Sequence, residues 1–107
     1  MITEKELRLC VKSNFTQNNK WDTKKLSQDN RDLLQELYNI KRMQYIYDEY
    51  PDEFNNVLIN TSIEGLIHYR NIICKEQFVD NSLRIMDLNT SIKIIEAINS
   101  MIKQKER

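Results

Sequence analysis

Residues 89–107 read NTSIKIIEAINSMIKQKER, and the spacing of their isoleucines distinguishes a helix from a strand. Because isoleucine is β-branched, composition alone would suit either element. The apolar side chains recur with a period near 3.6, as on one face of a helix, and not with the period of 2 that a strand requires. We therefore predict a helix that begins at Asn89 or Thr90. Its buried face is predicted to carry Ile92, Ile95, Ile98 and Ile102, with Ile94 and Met101 beside them.

The same periodicity runs through residues 26–50 and predicts a second, longer helix. This helix should extend from Gln28 to Tyr50, because the residue before Pro51 resists the α conformation. Ser27 or Asp29 can cap its first turn. The predicted buried stripe consists of Leu26, Leu33, Ile40 and Tyr47, which recur every seven residues, with Leu34 and Leu37 beside them.

Two capping boxes, in which Ser or Thr is followed three residues later by Glu, predict two further helix starts. One box runs from Thr3 to Glu6 and the other from Thr61 to Glu64. The first of these helices is predicted to bury Leu7, Cys10 and Val11. The second is predicted to end near Phe78 and to bury Ile63, Leu66, Ile67, Ile73, Cys74 and Phe78.

The chain is therefore predicted to be one all-α domain over residues 1–107, a small antiparallel four-helix bundle with one or two extra short helices. Only one Gly and one Pro occur, too few for the tight turns of a strand-rich fold. Residues 52–60 form either a short helix starting at Pro51 or an irregular link, and residues 79–88 are ambiguous, with a helical turn considered over 82–86. We expect helix to exceed about 60% of the residues, against the third that is usual. The core is predicted to bring together Leu33, Leu37, Ile40, Ile67, Ile73, Ile95 and Ile98.

Composition restricts the classes of function. The 16 basic residues balance the 16 acidic ones, which argues against tight binding of bare nucleic acid, usually held by surplus positive charge. No apolar run is long enough to span a membrane and no secretory h-region follows the N-terminus, so we expect a cytoplasmic protein with reduced cysteines.

No residue pattern predicts catalysis. Gly65 is a lone glycine inside a predicted helix and cannot form a phosphate-binding loop. His68 follows Glu64 by one helical turn, but no Cys/His cluster completes a metal site. Cys10 and Cys74 fall on apolar stripes, as unreactive core thiols do. We expect a protein that is not an enzyme, with no catalytic residue, no metal and no cofactor.

The positive functional signal is a cluster of acids and tyrosines. Five acids and no Lys or Arg lie between Asp48 and Glu64, and three tyrosines precede Pro51 closely. Exposed tyrosines supply contact area at protein interfaces at little entropic cost, and carboxylates steer basic partners. The alternative is a solvated turn that covers one end of the bundle. We name the predicted partner-binding residues the acidic tyrosine surface: Tyr45, Asp48, Glu49, Tyr50, Asp52 and Glu53.

These observations favour a small protein-binding module whose partner is a protein with a basic surface. As a fold-level analogy, short helical proteins of this kind include inhibitors and regulators from phages or mobile elements that occlude a host or rival protein, and immunity proteins. The alternative is a small dimeric nucleic-acid-binding regulator, and a subunit of a larger assembly is a third hypothesis. The alternative would use two basic clusters: Lys20, Lys24 and Lys25, and Lys93, Lys103, Lys105 and Arg107.

Overall fold

The computed structural model describes residues 3–14 and 26–107, and helices account for 80% of these residues. The described part of the chain contains no strand, which confirms the all-α prediction, and its helices pack into a compact globule. None of these helices is both long and apolar enough to cross a membrane. The helices are α1 (Glu4–Asn14), α2 (Gln28–Glu49), α3 (Pro51–Ile59), α4 (Ile63–Glu76) and α5 (Leu88–Glu106).

Side-chain caps start α1 and α2 where the sequence predicts. The Thr3 hydroxyl accepts a hydrogen bond from the Glu6 N–H at 3.2 Å, and the Ser27 hydroxyl accepts one from the Asn30 N–H at 3.2 Å. The helix α5 begins slightly earlier than predicted, because Asp87 is its cap and accepts the Thr90 N–H at 2.9 Å. The hydrogen bonds from Thr90 hold the pKa of Asp87 below its usual value.

The start of α4 corrects the second predicted capping box by one residue. Ser62, and not Thr61, is the cap, and its hydroxyl accepts the Gly65 N–H at 3.1 Å. Thr61 instead donates its hydroxyl to the Val57 carbonyl in the last turn of α3. Residues 51–59 are therefore helical and do not form the irregular link that was the alternative. A Cβ at position 65 would lie 2.8 Å from the Thr61 Cγ2, so glycine permits this tight α3–α4 corner.

One apolar core joins all five helices. Of the predicted core residues, Leu37, Ile40, Ile73 and Ile98 are buried, which confirms them. Three others are only partly buried and pack against the edge of the core: Leu33, Ile67 and Ile95. The helices were therefore predicted correctly, but for some of them the predicted buried face is not the one that packs deepest in the core.

Two helix ends show where the predicted faces were wrong. In α5 the buried line runs through Ile94 and Ile98, while Ile92 is 43% exposed on the flank of the helix. Apolar residues occupy two adjacent faces of α5, and periodicity alone does not choose between them. Phe78 is 90% exposed, because α4 ends at Glu76 and the chain turns away before reaching it.

A buried ion pair fixes α1 to the end of α4. One nitrogen of the Arg8 guanidinium donates to both carboxylate oxygens of Glu76, at 2.8 and 2.9 Å. The same carboxylate accepts the Ile85 N–H at 2.7 Å. Glu76 is only 1% exposed. This carboxylate therefore connects α1, α4 and the link that leads into α5.

The link over residues 77–87 is not helical, and the helical turn considered over 82–86 is absent. One turn closes where the Leu83 N–H donates to the Asp80 carbonyl at 2.9 Å, and another follows α4 where the Val79 N–H donates to the Glu76 carbonyl at 3.1 Å. Arg84 donates to the Val79 carbonyl at 3.0 Å, and Lys12 of α1 donates to the Ser82 carbonyl at 2.7 Å. Side-chain contacts of this kind hold the link where regular structure does not.

Candidate functional site

The acidic tyrosine surface lies at the junction of α2 and α3, and all six of its residues are exposed. Tyr50 is the only residue between the two helices. Its N–H donates to the Ile46 carbonyl of α2 at 2.8 Å, and its carbonyl accepts the Phe54 N–H of α3 at 2.9 Å. Pro51, at the first position of α3, needs no hydrogen-bond partner for its nitrogen. The backbone of this junction is therefore closely defined.

The tyrosines at this junction divide between surface and core. Tyr45 and Tyr50 are 46% and 52% exposed, and their rings meet edge to face with centroids 5.8 Å apart. Tyr47 turns the other way and packs edge to face on the buried Phe54, at 5.1 Å. Tyr38 is also partly buried against the core. The outward pair is thus Tyr45 and Tyr50.

The two outward tyrosines are also joined by their polar ends. A hydrogen bond with Tyr50 raises the pKa of Tyr45 above its ordinary value, with a smaller contribution in the same direction from the charge of Glu49. The Tyr45 hydroxyl consequently stays protonated near neutral pH. The pair presents aromatic edges and hydroxyl groups together, the combination that favours tyrosine at protein interfaces.

Two of the four carboxylates of the surface lie at the C-terminal end of α2, and the other two lie at the N-terminal end of α3. Asp48 and Glu49 occupy the last turn of α2, which holds no basic residue. Negative charge there opposes the helix dipole. Asp52 and Glu53 occupy the first turn of α3, where the dipole favours acids and where no side chain caps the helix. The dipole of α3 therefore favours the second pair, and the dipole of α2 disfavours the first.

An apolar groove runs beside this surface between α2 and α3, which we name the α2–α3 groove. Ile46 and Val57 line it between the charged side chains of Arg42 and Glu53, and Tyr45 and Tyr50 stand at one end. Its volume is about 460 Å³. A smaller recess shares Arg42, Ile46 and Val57 and extends the groove toward α4. Sequence reasoning missed this groove, because it left open whether residues 52–60 are helical.

The residues considered for chemistry do not converge. His68 and Glu64 are both exposed, and the imidazole lies beside the Tyr69 ring at 6.1 Å. Cys10 and Cys74, predicted as core thiols, are only half-buried, which corrects that prediction. Across residues 3–14 and 26–107, no group of three or more His, Cys, Asp or Glu side chains could hold a metal ion.

The basic residues considered for nucleic acid are only partly described. Lys20, Lys24 and Lys25 lie outside the described residues. Lys93 and Lys103 of α5 and Arg107, which follows it, are exposed, and Lys105 donates to the Ile59 carbonyl at the end of α3. One member of this predicted cluster therefore fastens α5 to α3.

Comparison of the chain with protein-family models, with curated proteins and with solved structures finds no match. The α2–α3 junction combines three features: the outward pair Tyr45 and Tyr50, the carboxylates Asp48 and Glu49, and the α2–α3 groove.

Proposed function

We propose that this protein is a small non-enzymatic binding module that docks onto or occludes another protein through its acidic tyrosine surface. In this proposal it is a cytoplasmic inhibitor or regulator carried by a phage or mobile element, and an immunity role belongs to the same class. Its scaffold is a four-helix bundle in which α3 is an additional short helix. The partner presents a basic surface.

The observation that carries the proposal is the outward pair Tyr45 and Tyr50. Their edge-to-face contact and their hydrogen bond restrict both side chains before any partner arrives. Side chains that are already ordered lose less entropy on binding, so more of the contact energy becomes affinity. Large aromatic residues in such positions are the usual hot spots of interfaces.

The carboxylates support the second part of the proposal, a basic partner. All four are exposed around the tyrosine pair, and no Lys or Arg occurs between Asp48 and Glu64. Charge of one sign raises the rate of encounter with a partner of the opposite sign, an effect that salt weakens. Asp48 and Glu49, which the dipole of α2 disfavours, fit this role.

Charge reversal at the surface tests the proposal. The variant Asp48→Lys, Glu49→Lys, Asp52→Lys is expected to fold and to lose a partner that the wild type retains, because both steering and contact are removed. The wild-type protein, the variant and a control are immobilised, and nuclease-treated bacterial lysate is passed over each. Retained proteins are identified by mass spectrometry, and the purified partner is then assayed for its association rate at low and high salt.

The control carries the same charge change on exposed acids elsewhere: Asp32→Lys, Glu96→Lys, Glu106→Lys. A protein retained by wild type and control but not by the surface variant supports the proposal. Equal retention by all three places the interface elsewhere and rejects it. Retention from an untreated lysate that disappears after nuclease treatment would favour the nucleic-acid regulator.

The helix dipole gives an independent expectation for the same residues. Asp48→Lys with Glu49→Lys should raise the free energy of unfolding by about 0.3–1 kcal/mol, because cations suit the last turn of a helix. Asp52→Lys should lower it, since Asp52 lies in the first turn of α3. Urea unfolding at low ionic strength measures both changes. A loss of stability in the Asp48, Glu49 variant would mean that these acids have a structural role.

A further inference from the structure

We infer that the α2–α3 groove receives an amphipathic helix of the partner, with its apolar face on Ile46 and Val57 and its basic residues at the Tyr50 end. This inference rests on the proposed function and adds the form of the element that binds. It commits to a helix, which the acidic tyrosine surface alone would not require.

The lining residues follow the spacing of a helical ridge. Arg42 and Ile46 on α2 and Tyr50 just after its end succeed one another every four residues, and Glu53 and Val57 are also four residues apart on α3. Ridges built from residues four apart leave grooves into which the side chains of another helix pack. The row on α2 spans about 12 Å, roughly two turns of a helix. The groove therefore matches the footprint of a short helical segment.

The floor of the groove is apolar and still reached by solvent. Ile46 and Val57 are both half-buried, so part of each side chain remains available for contact. An amphipathic helix that docks in a groove usually places apolar anchors one turn apart on such a floor. Covering the exposed parts of Ile46 and Val57 would be favourable because apolar surface leaves water.

The charges along the groove indicate in which direction the helix of the partner would lie. Glu53 lines it on α3, and Glu49 and Asp52 are exposed neighbours of Tyr50 and Pro51 in the chain. Arg42 stands on α2 two turns before Tyr50. Lysine or arginine of the occupant would meet carboxylates and the Tyr45 and Tyr50 rings at one end, where cation–π contacts add to the charge attraction. An acidic residue of the occupant would meet Arg42 at the other end.

Binding of a model peptide tests the inference. The probe is a fluorescent helical peptide of roughly 14 residues, about four turns, with leucines on one face and lysines at one end. Its counterpart has the same composition, permuted so that the leucines do not share a face. We expect the wild type to bind the amphipathic peptide at least about tenfold more tightly, a difference of about 1.4 kcal/mol. Fluorescence anisotropy measures both affinities, and equal binding of the two peptides overturns the inference.

A substitution that places a charge on the floor of the groove distinguishes binding in the groove from attraction by overall charge. Val57→Glu makes the protein more acidic, so binding by charge alone would strengthen, whereas groove binding should weaken at least about tenfold. Asn55→Glu adds the same charge to an exposed position of α3 that does not line the groove, and it should bind like the wild type. Undiminished binding by Val57→Glu overturns the inference.

Amide chemical shifts of the unmodified protein give a second measurement that does not depend on the folding of a variant. Peptide-induced changes should centre on Ile46, Glu53 and Val57, and changes confined to other helices overturn the inference. In the lysate experiment, a partner lost by Asp48→Lys, Glu49→Lys, Asp52→Lys but kept by Val57→Glu rejects the groove and leaves the proposed function standing. A partner kept by both variants rejects the two together.

Discussion

Arg8→Met is expected to lower the free energy of unfolding by about 3–5 kcal/mol, the usual effect of removing one member of a buried ion pair. The Glu76 carboxylate would keep its hydrogen bond from the Ile85 N–H but lose both contacts to the guanidinium. At 1% exposure it could not recover that interaction from water. Urea unfolding at neutral pH, followed by circular dichroism, measures the change.

A second substitution tests the cause. Adding Glu76→Gln to Arg8→Met should recover most of the loss, because a neutral amide replaces the stranded charge while its oxygen still accepts the Ile85 N–H. Glu4→Gln is the matched control, since it removes only the exposed carboxylate that also contacts Arg8, at 3.3 Å. Such exposed pairs contribute about 0–1 kcal/mol. If Arg8→Met proved as mild as Glu4→Gln, the buried pair would not be what fastens α1.

This ion pair also shows what the sequence could not predict. Helix starts at Thr3 and Ser27 depend on neighbouring residues and were predicted correctly, and the end of α2 before Pro51 was predicted within one residue, at Tyr50 instead of Glu49. Arg8 and Glu76 are 68 positions apart, and nothing local distinguishes them from other charged residues on polar faces. Only the packing of α1 against the end of α4 brings them together.

The candidate site was predictable to the same extent. The inward turn of Tyr47 depends on helical spacing, and its place on the heptad stripe predicted it. The α2–α3 groove depends on how α3 folds back along α2. That arrangement is set by contacts such as the one between Tyr47 and Phe54, which periodicity does not specify.

Two isoleucine substitutions in α5 provide the second large expected effect. Ile98→Ala should lower the free energy of unfolding by about 2–5 kcal/mol, because it removes a buried side chain and leaves a cavity. Ile98 is fully buried in the core, whereas Ile92 is 43% exposed. Ile92→Ala should therefore change stability by about 0.5 kcal/mol or less, as surface substitutions usually do. Half-buried Ile95 should fall between them.

The comparison is well controlled, because the same side chain is shortened in the same helix and alanine favours helix at both positions. Differences in unfolding midpoint then report burial and little else. Periodicity alone placed Ile92 and Ile98 on one buried face, so it predicts similar losses for the two variants. The packing of α5 predicts a large loss for Ile98→Ala alone. Equal losses would mean that α5 is rotated about its axis, with Ile92 turned into the core and Ile94 turned out of it.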